Sequence, residues 1–254
     1  MTHSSISPTL SKVMWNEEGR TMIEKKGIRQ SYSTGPYNKF NDTEQWIRIS
    51  QGCPNRCPFC YEPPEMEWLG VPEIVRNDVH IMDMNLLAQP QGLEAIRQLG
   101  QIKVDNRVVR YTLVCGIDHR FLTPAIANSL KESRFYDIRL AWDWWYSDQF
   151  KIEKAIRILS NAGYPIEELT IFMICNWEIP FSECIRKLEL CKYLGVKVAD
   201  CYFDGQTSPN IEPIGWTPFQ IKSFRHLVRK HNQLVRFHID PELTESRGQQ
   251  RAIA

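Results

Sequence analysis

Cys53, Cys57 and Cys60 stand in the segment C-P-N-R-C-P-F-C, three thiols within eight residues. Pro54 and Pro58 interrupt the run, so the three cannot form one face of a helix. Such dense spacing in an irregular loop suits a tight metal wrap, and thiolates favour iron–sulfur clusters or zinc. Three local ligands leave one coordination position over. A structural zinc site would need a fourth ligand, which His80 or His119 could supply. An electron-transfer cluster usually has four cysteines, and the other five here are scattered. An iron left open on purpose would belong to an enzyme.

The elements that must carry this loop are readable from Glu44 onward. Short β-branched or aromatic runs at 45–50, 79–87, 108–115, 136–142, 168–175 and 196–203 alternate with helical patterns. Several are almost continuously apolar, as parallel strands covered on both faces are. Thr123-Pro124 and Thr217-Pro218 each put a capping hydroxyl before a proline suited to the first helical turn. Gly100, Gly163 and Gly195 follow helical patterns where a left-handed residue is wanted. The alternation predicts six βα units, curled by right-handed crossovers into a barrel or an open partial one. Periodicity alone also admits a doubly wound open sheet.

C-x3-C-x2-C with Phe59 before its last cysteine, placed after the first strand of such a chain, resembles the radical S-adenosylmethionine superfamily. The resemblance covers roughly residues 44–204, and the cysteine motif is its specific part. It implies an α/β fold, a partial (β/α)6 barrel of the TIM type. It also implies a [4Fe–4S] cluster on Cys53, Cys57 and Cys60, whose remaining iron chelates S-adenosylmethionine. Reductive cleavage would then give a 5′-deoxyadenosyl radical that abstracts hydrogen from a substrate. An electron donor of the flavodoxin or ferredoxin type is the partner this chemistry calls for. The competing class is a non-catalytic structural zinc or iron–sulfur redox protein.

In such barrels the site residues come from the C-terminal ends of strands. The second strand ends in Met82-Asp83-Met84-Asn85, where relatives often carry Gly-Gly-Glu; that segment is absent. Asp83 and Asn85, two apart, could replace its hydrogen bonds, or could simply cap the strand. After the third strand come Asp118 and Arg120, and Arg120 could hold a carboxylate bidentately or pair structurally with Asp118. Asp143 occupies the place where the family has a polar contact to the cofactor. The aromatics around Asp143, with Trp177 and Tyr202, could stack a planar substrate or merely pack. Cys184 and Cys191 fall on one helical face and read as core. Cys115, Cys175 and Cys201 lie toward strand ends, where one could donate a hydrogen atom to a substrate radical.

Lys and Arg total 31 against 30 Asp and Glu, so no overall field points to a polyanion. Residues 220–238 nevertheless carry several basic groups and no acidic one, a solvated helix face or a surface for RNA or phosphate. A small molecule and a nucleic acid both stay open as substrate. The first twenty residues have no signal-like apolar core, and no apolar run reaches the ~20 residues that span a bilayer. The expectation is therefore a cytoplasmic chain with reduced cysteines and no membrane partner. Expected boundaries are an N-terminal extension at 1–43, the barrel at 44–239 and a C-terminal tail at 240–254.

Overall fold

The computed structural model describes residues 12–15, 20–25, 28–33, 35–57, 59–60, 62–176, 179–202 and 216–238 of the chain. Strands β1 (Lys12–Trp15), β2 (Arg20–Lys25) and β3 (Ile28–Ser33) form an antiparallel sheet of their own. Next, β4 (Tyr37–Phe40) pairs antiparallel with β5 (Glu44–Arg48). Tyr37 to Phe40 of β4 find their partners in Arg48 to Gln45. A short clip of β6 (Ser50–Gln51) and β7 (Glu67–Trp68) follows.

The parallel part begins with β5 and β8 (Asp78–Ile81). β9 (Lys103–Val104) and β10 (Arg107–Val108) form a hairpin turned by Asp105 and Asn106, both at positive φ as a tight hairpin turn requires. Then come β11 (Arg110–Leu113) and β12 (Ile117–Asp118), followed by β13 (Arg139–Ala141), β14 (Thr170–Ile174) and β15 (Lys197–Cys201). One sheet has the order β11-β8-β5-β4 and the other β12-β13-β14-β15, with β5, β8 and β11 parallel and β12 to β15 parallel. Val114 to Gly116 leads directly from one sheet into the other. Gly116 turns the chain there at φ +85°, and a Cβ on it would come 3.0 Å from the Arg139 carbonyl oxygen. Among the described residues the two sheets do not join into a closed barrel.

Helices cover the sheets through apolar stripes. α1 (Gly92–Gln101) buries Ala95, Ile96 and Leu99, and α3 (Gln149–Asn161) buries Ile152, Ala155, Ile156 and Leu159. α2 (Pro124–Glu132) starts on the Thr123 hydroxyl, which accepts from Ile126 N–H at 3.2 Å. α4 (Phe181–Leu194) ends at Gly195 in the left-handed region, and α5 (Pro218–Arg236) opens with a capping box between Thr217 and Gln220.

Each of the six expected strands has a counterpart, with shifted ends. The expected strand at 79–87 stops at Ile81, because Leu86–Ala88 winds into a 3-10 turn. The one at 108–115 loses Val108 to the hairpin. Gly163 does take a positive φ, but Gly100 lies inside α1 and serves a close approach instead. A Cβ at Gly100 would meet the Ser133 hydroxyl at 2.5 Å, so glycine lets α1 press against the end of α2. Cys184 and Cys191 are buried on one face of α4, as their spacing implies. No helix among the described residues is long and apolar enough to cross a membrane.

Candidate functional site

The loop that carries the three thiols is tied at both ends by the β6–β7 clip, where Ser50 faces Trp68 and Gln51 faces Glu67. Gly52 at φ +89° lets the chain enter it, since a Cβ there would collide with the Glu65 backbone. Inside, Gly52 N–H donates to Glu62 Oε1 at 2.5 Å, Cys53 N–H to the Pro63 carbonyl at 2.9 Å and Cys60 N–H to the Cys57 carbonyl at 3.0 Å. Glu62 N–H points at Cys60 Sγ, 3.4 Å away. These bonds close the segment into a cup-like loop that carries all three thiols half-buried.

The thiols act on one another. Burial pushes Cys57 up, and the Asp143 carboxylate and Cys53 push it further. Burial likewise pushes Cys60 up to about 12, with Cys57 and Cys53 adding to it and the Glu62 N–H opposing. Among the described residues no three His, Cys, Asp or Glu side chains gather closely enough to hold a single metal ion. His80 pairs with Glu44 at 3.4 Å and stacks on Trp46, while His119 Nδ1 faces the Ala141 carbonyl at 3.3 Å. Three half-buried thiols in one loop are a donor set that would suit an iron–sulfur cluster, in which each thiolate takes a separate iron.

Three strand ends close around the cup. From the end of β8, Asn85 Nδ2 reaches Cys53 Sγ at 3.4 Å and Asp118 Oδ2 at 3.2 Å. From the end of β12, Asp118 also accepts from Asn55 Nδ2 at 2.6 Å. Arg120 clamps Asp118 with Nε–Oδ1 at 2.8 Å and Nη2–Oδ2 at 2.9 Å, and its backbone N–H adds a third bond at 3.0 Å. Burial alone would raise the Asp118 carboxyl, yet the Arg120 bonds and the Asn55 amide hold it below the usual carboxylate range. From the end of β13, Asp143 lies within electrostatic reach of Cys57, Asp118, Arg120 and Lys187. Burial raises its carboxyl to about 6, against the lowering influence of Lys187 and of Ile174 N–H. Phe59 packs on Trp144, ring centroids 5.4 Å apart.

The structure thus brings Phe59, Asn85, Arg120 and Asp143 around the cysteine loop, and sets Asp83 apart from them. Asp83 is buried under the entry to the loop, where it accepts from Ile49 N–H at 2.8 Å, Ser50 N–H at 2.7 Å and the Ser50 hydroxyl. That geometry is the strand-capping role open to it from sequence. The aromatics divide: Trp142 is core, Trp145 is exposed, and Tyr202 packs edge-on against Trp216, 6.2 Å between centroids. Trp177 lies outside the described residues. Asn55 was not singled out by sequence reading, although its place between Cys53 and Cys57 marks it. Lys187 was missed as well, and its signal is a lysine in the apolar stripe of α4.

No protein-family model matches the chain, and no curated protein does. Among solved structures the chain is similar to TsrM, a radical S-adenosylmethionine methyltransferase from Kitasatospora setae. With tryptophan substrate and a S-adenosylmethionine analog bound to that enzyme, the TM-score is 0.51 at 11% identity, covering 63% of this chain and 36% of that one. With cobalamin and a [4Fe–4S] cluster bound to it, the TM-score is 0.48 at 12% identity, over 61% and 36%. The chain spans little more than a third of that enzyme's length. The mixed α/β array with the cysteine loop at its strand ends is thus similar in fold to part of that enzyme.

Proposed function

We propose that this chain is a radical S-adenosylmethionine enzyme built on a partial (β/α)6 barrel, with Cys53, Cys57 and Cys60 as the ligands of a [4Fe–4S] cluster. One observation carries the reading: a three-thiol cup opens at the C-terminal ends of a parallel array, in a fold shared with an enzyme of that chemistry. The six strand positions of the barrel would be β5, β8, the pair β11/β12, β13, β14 and β15. When bound, the cluster would supply an electron to S-adenosylmethionine and yield a 5′-deoxyadenosyl radical for hydrogen abstraction.

The chain's own residues have separate tasks in this reading. Asn85 and Asn55 join the thiol loop to Asp118, so the loop is fixed relative to the strand ends. Arg120 keeps Asp118 ionised, and the edges of its guanidinium left over by that clamp can take a carboxylate. Asp143 is the acceptor on offer for the cofactor's ammonium or ribose hydroxyls. Phe59 and Trp144 shield the cup from water on one side. The electron would come from a flavodoxin- or ferredoxin-type donor. A cytoplasmic setting, in which cysteines stay reduced, belongs to the same reading. The substrate, small molecule or nucleic acid, is a question for isotope transfer into 5′-deoxyadenosine.

The test is anaerobic reconstitution with iron and sulfide. The reduced protein should give a cluster electron paramagnetic resonance signal that shifts on adding S-adenosylmethionine, and should release 5′-deoxyadenosine. Cys57→Ala should abolish that release. A signal indifferent to S-adenosylmethionine, or one tightly held zinc in protein purified without oxygen, overturns the reading.

A further inference from the structure

The buried stripe of α4 runs Cys184, Lys187, Leu188, Cys191, a helical spacing in which three positions are apolar in character and one is a lysine. Lys187 is 0% exposed. Its ammonium donates to the Trp142 carbonyl at 3.0 Å and lies 5.5 Å from the centroid of the Trp142 ring. An ammonium withdrawn from water is costly unless an acceptor or an opposite charge repays it. Cys184, Asp143, Cys175 and Cys191 are the groups whose charge it feels. Asp143 is the only carboxylate among them.

Trp142 and Asp143 are held from several directions. Trp142 N–H continues the β13–β14 ladder to the Phe172 carbonyl at 2.7 Å, and its indole N–H donates to the Trp145 carbonyl at 3.1 Å. Ile174 N–H, from the end of β14, supports the Asp143 carboxylate. Besides Lys187, the ionisable groups facing Asp143 are Asp118 and Arg120 beyond β12, Cys57 on the thiol loop and Cys201 on β15. Arg120 also favours the charged Asp143, by less than Lys187 does, while it is bonded to Asp118. Lys187 has the larger of the two effects, and its ammonium is tied to the strand end through the Trp142 carbonyl.

We propose that Lys187 is a positioning residue for Asp143, its buried bond to the Trp142 carbonyl fixing the Trp142–Asp143 strand end so that the Asp143 carboxylate meets S-adenosylmethionine. Lys187 itself touches neither the cofactor nor the thiol loop in this arrangement. The inference rests on the radical reading above, in which Asp143 meets the cofactor.

A double-mutant cycle on cluster-loaded protein tests it, with the dissociation constant of S-adenosylmethionine as readout and thermal stability as control. Asp143→Asn and Lys187→Met should each weaken binding by about tenfold, an order set by hydrogen bonds to charged groups. The double variant should bind no more weakly than Asp143→Asn alone, because Lys187 has nothing left to act on. A general packing defect would instead multiply the two losses. Lys187→Gln keeps a donor for the Trp142 carbonyl and stands in if the methionine variant does not fold; the same non-additivity is expected of it. Multiplied losses, or wild-type binding by the Lys187 variants, overturn the proposal and leave the radical reading intact. Failure of the wild-type loaded protein to bind S-adenosylmethionine at all brings down both.

Discussion

Asp83 and Asp118 are both acidic residues near strand ends, yet their partners give them opposite characters. Asp118 is clamped by a guanidinium and two amides and stays ionised. Asp83 is satisfied by uncharged donors in a buried place, and burial raises its carboxyl to about 6. The folded state therefore holds the Asp83 proton more tightly than the unfolded chain, whose value is near 3.8. Its contribution to stability is fully present below about 4 and is lost as pH rises through 6. Replacing Asp83 by Asn should flatten that slope by up to about 3 kcal/mol, from two pH units at ~1.4 kcal/mol each. Asp143, raised in the same direction, keeps part of the slope in the variant. Urea denaturation at pH 7, 5.5 and 4 measures the difference, and equal slopes in both proteins would count against the assignment. The cysteine triad was legible because its spacing is local. The partners of Asp83 were not, because Ile49 and Ser50 stand more than thirty residues away in sequence.

At the scale of elements, the edge strand β15 shows how a helix completes a sheet. Asn232 on α5 accepts from Val198 N–H at 2.9 Å and donates to the Val198 carbonyl at 2.7 Å, so one amide side chain pairs both edge groups as a further strand would. His231 faces the Val196 carbonyl at 2.7 Å beside it. Phe181, Trp216 and Phe224 lock the helix against α4 with edge-on rings 5.0 to 6.2 Å apart. Edge strands left bare invite pairing with other chains, and this cover removes that hazard. Asn232→Ala should cost about 1–3 kcal/mol, the loss expected when buried backbone groups lose their partners. Hydrogen exchange at the Val198 amide should rise well beyond that of β14. Unchanged protection there would mean that the pairing contributes nothing. The start of α5 was readable from Thr217-Pro218, and its inward face from the spacing of Phe224 and Val228. That Asn232 would serve β15 was not readable, since register between a helix and a distant strand leaves no local pattern. The same holds for Lys187, whose place in an apolar stripe is visible in sequence but whose acceptor is not.

For the whole molecule, the alternation of strands and helices foretold the parallel array, while the split into two sheets at Gly116 depends on a contact with Arg139 that no periodicity reports. The thiol loop is an appendage of this array, anchored by the β6–β7 clip, by the Asn55–Asp118 and Asn85–Asp118 bonds and by Phe59 at the edge of the apolar core. In the proposed reading, a cluster bound there would stabilise the folded chain by mass action, because the unfolded chain offers no assembled site. Reconstitution should therefore raise the unfolding temperature by several degrees, the shift that ~1–3 kcal/mol produces in a chain of this size. Oxidative removal of iron with a chelator should reverse the gain. Far-UV circular dichroism should stay nearly constant through the cycle, since the hydrogen bonds of β8 and β11 to β15 do not pass through the loop. Cys57→Ala, lacking one ligand, should show little or none of the gain. Collapse of the circular dichroism signal on iron removal would place the cluster inside the folding core instead, and an equal gain in Cys57→Ala would take the metal away from this loop altogether.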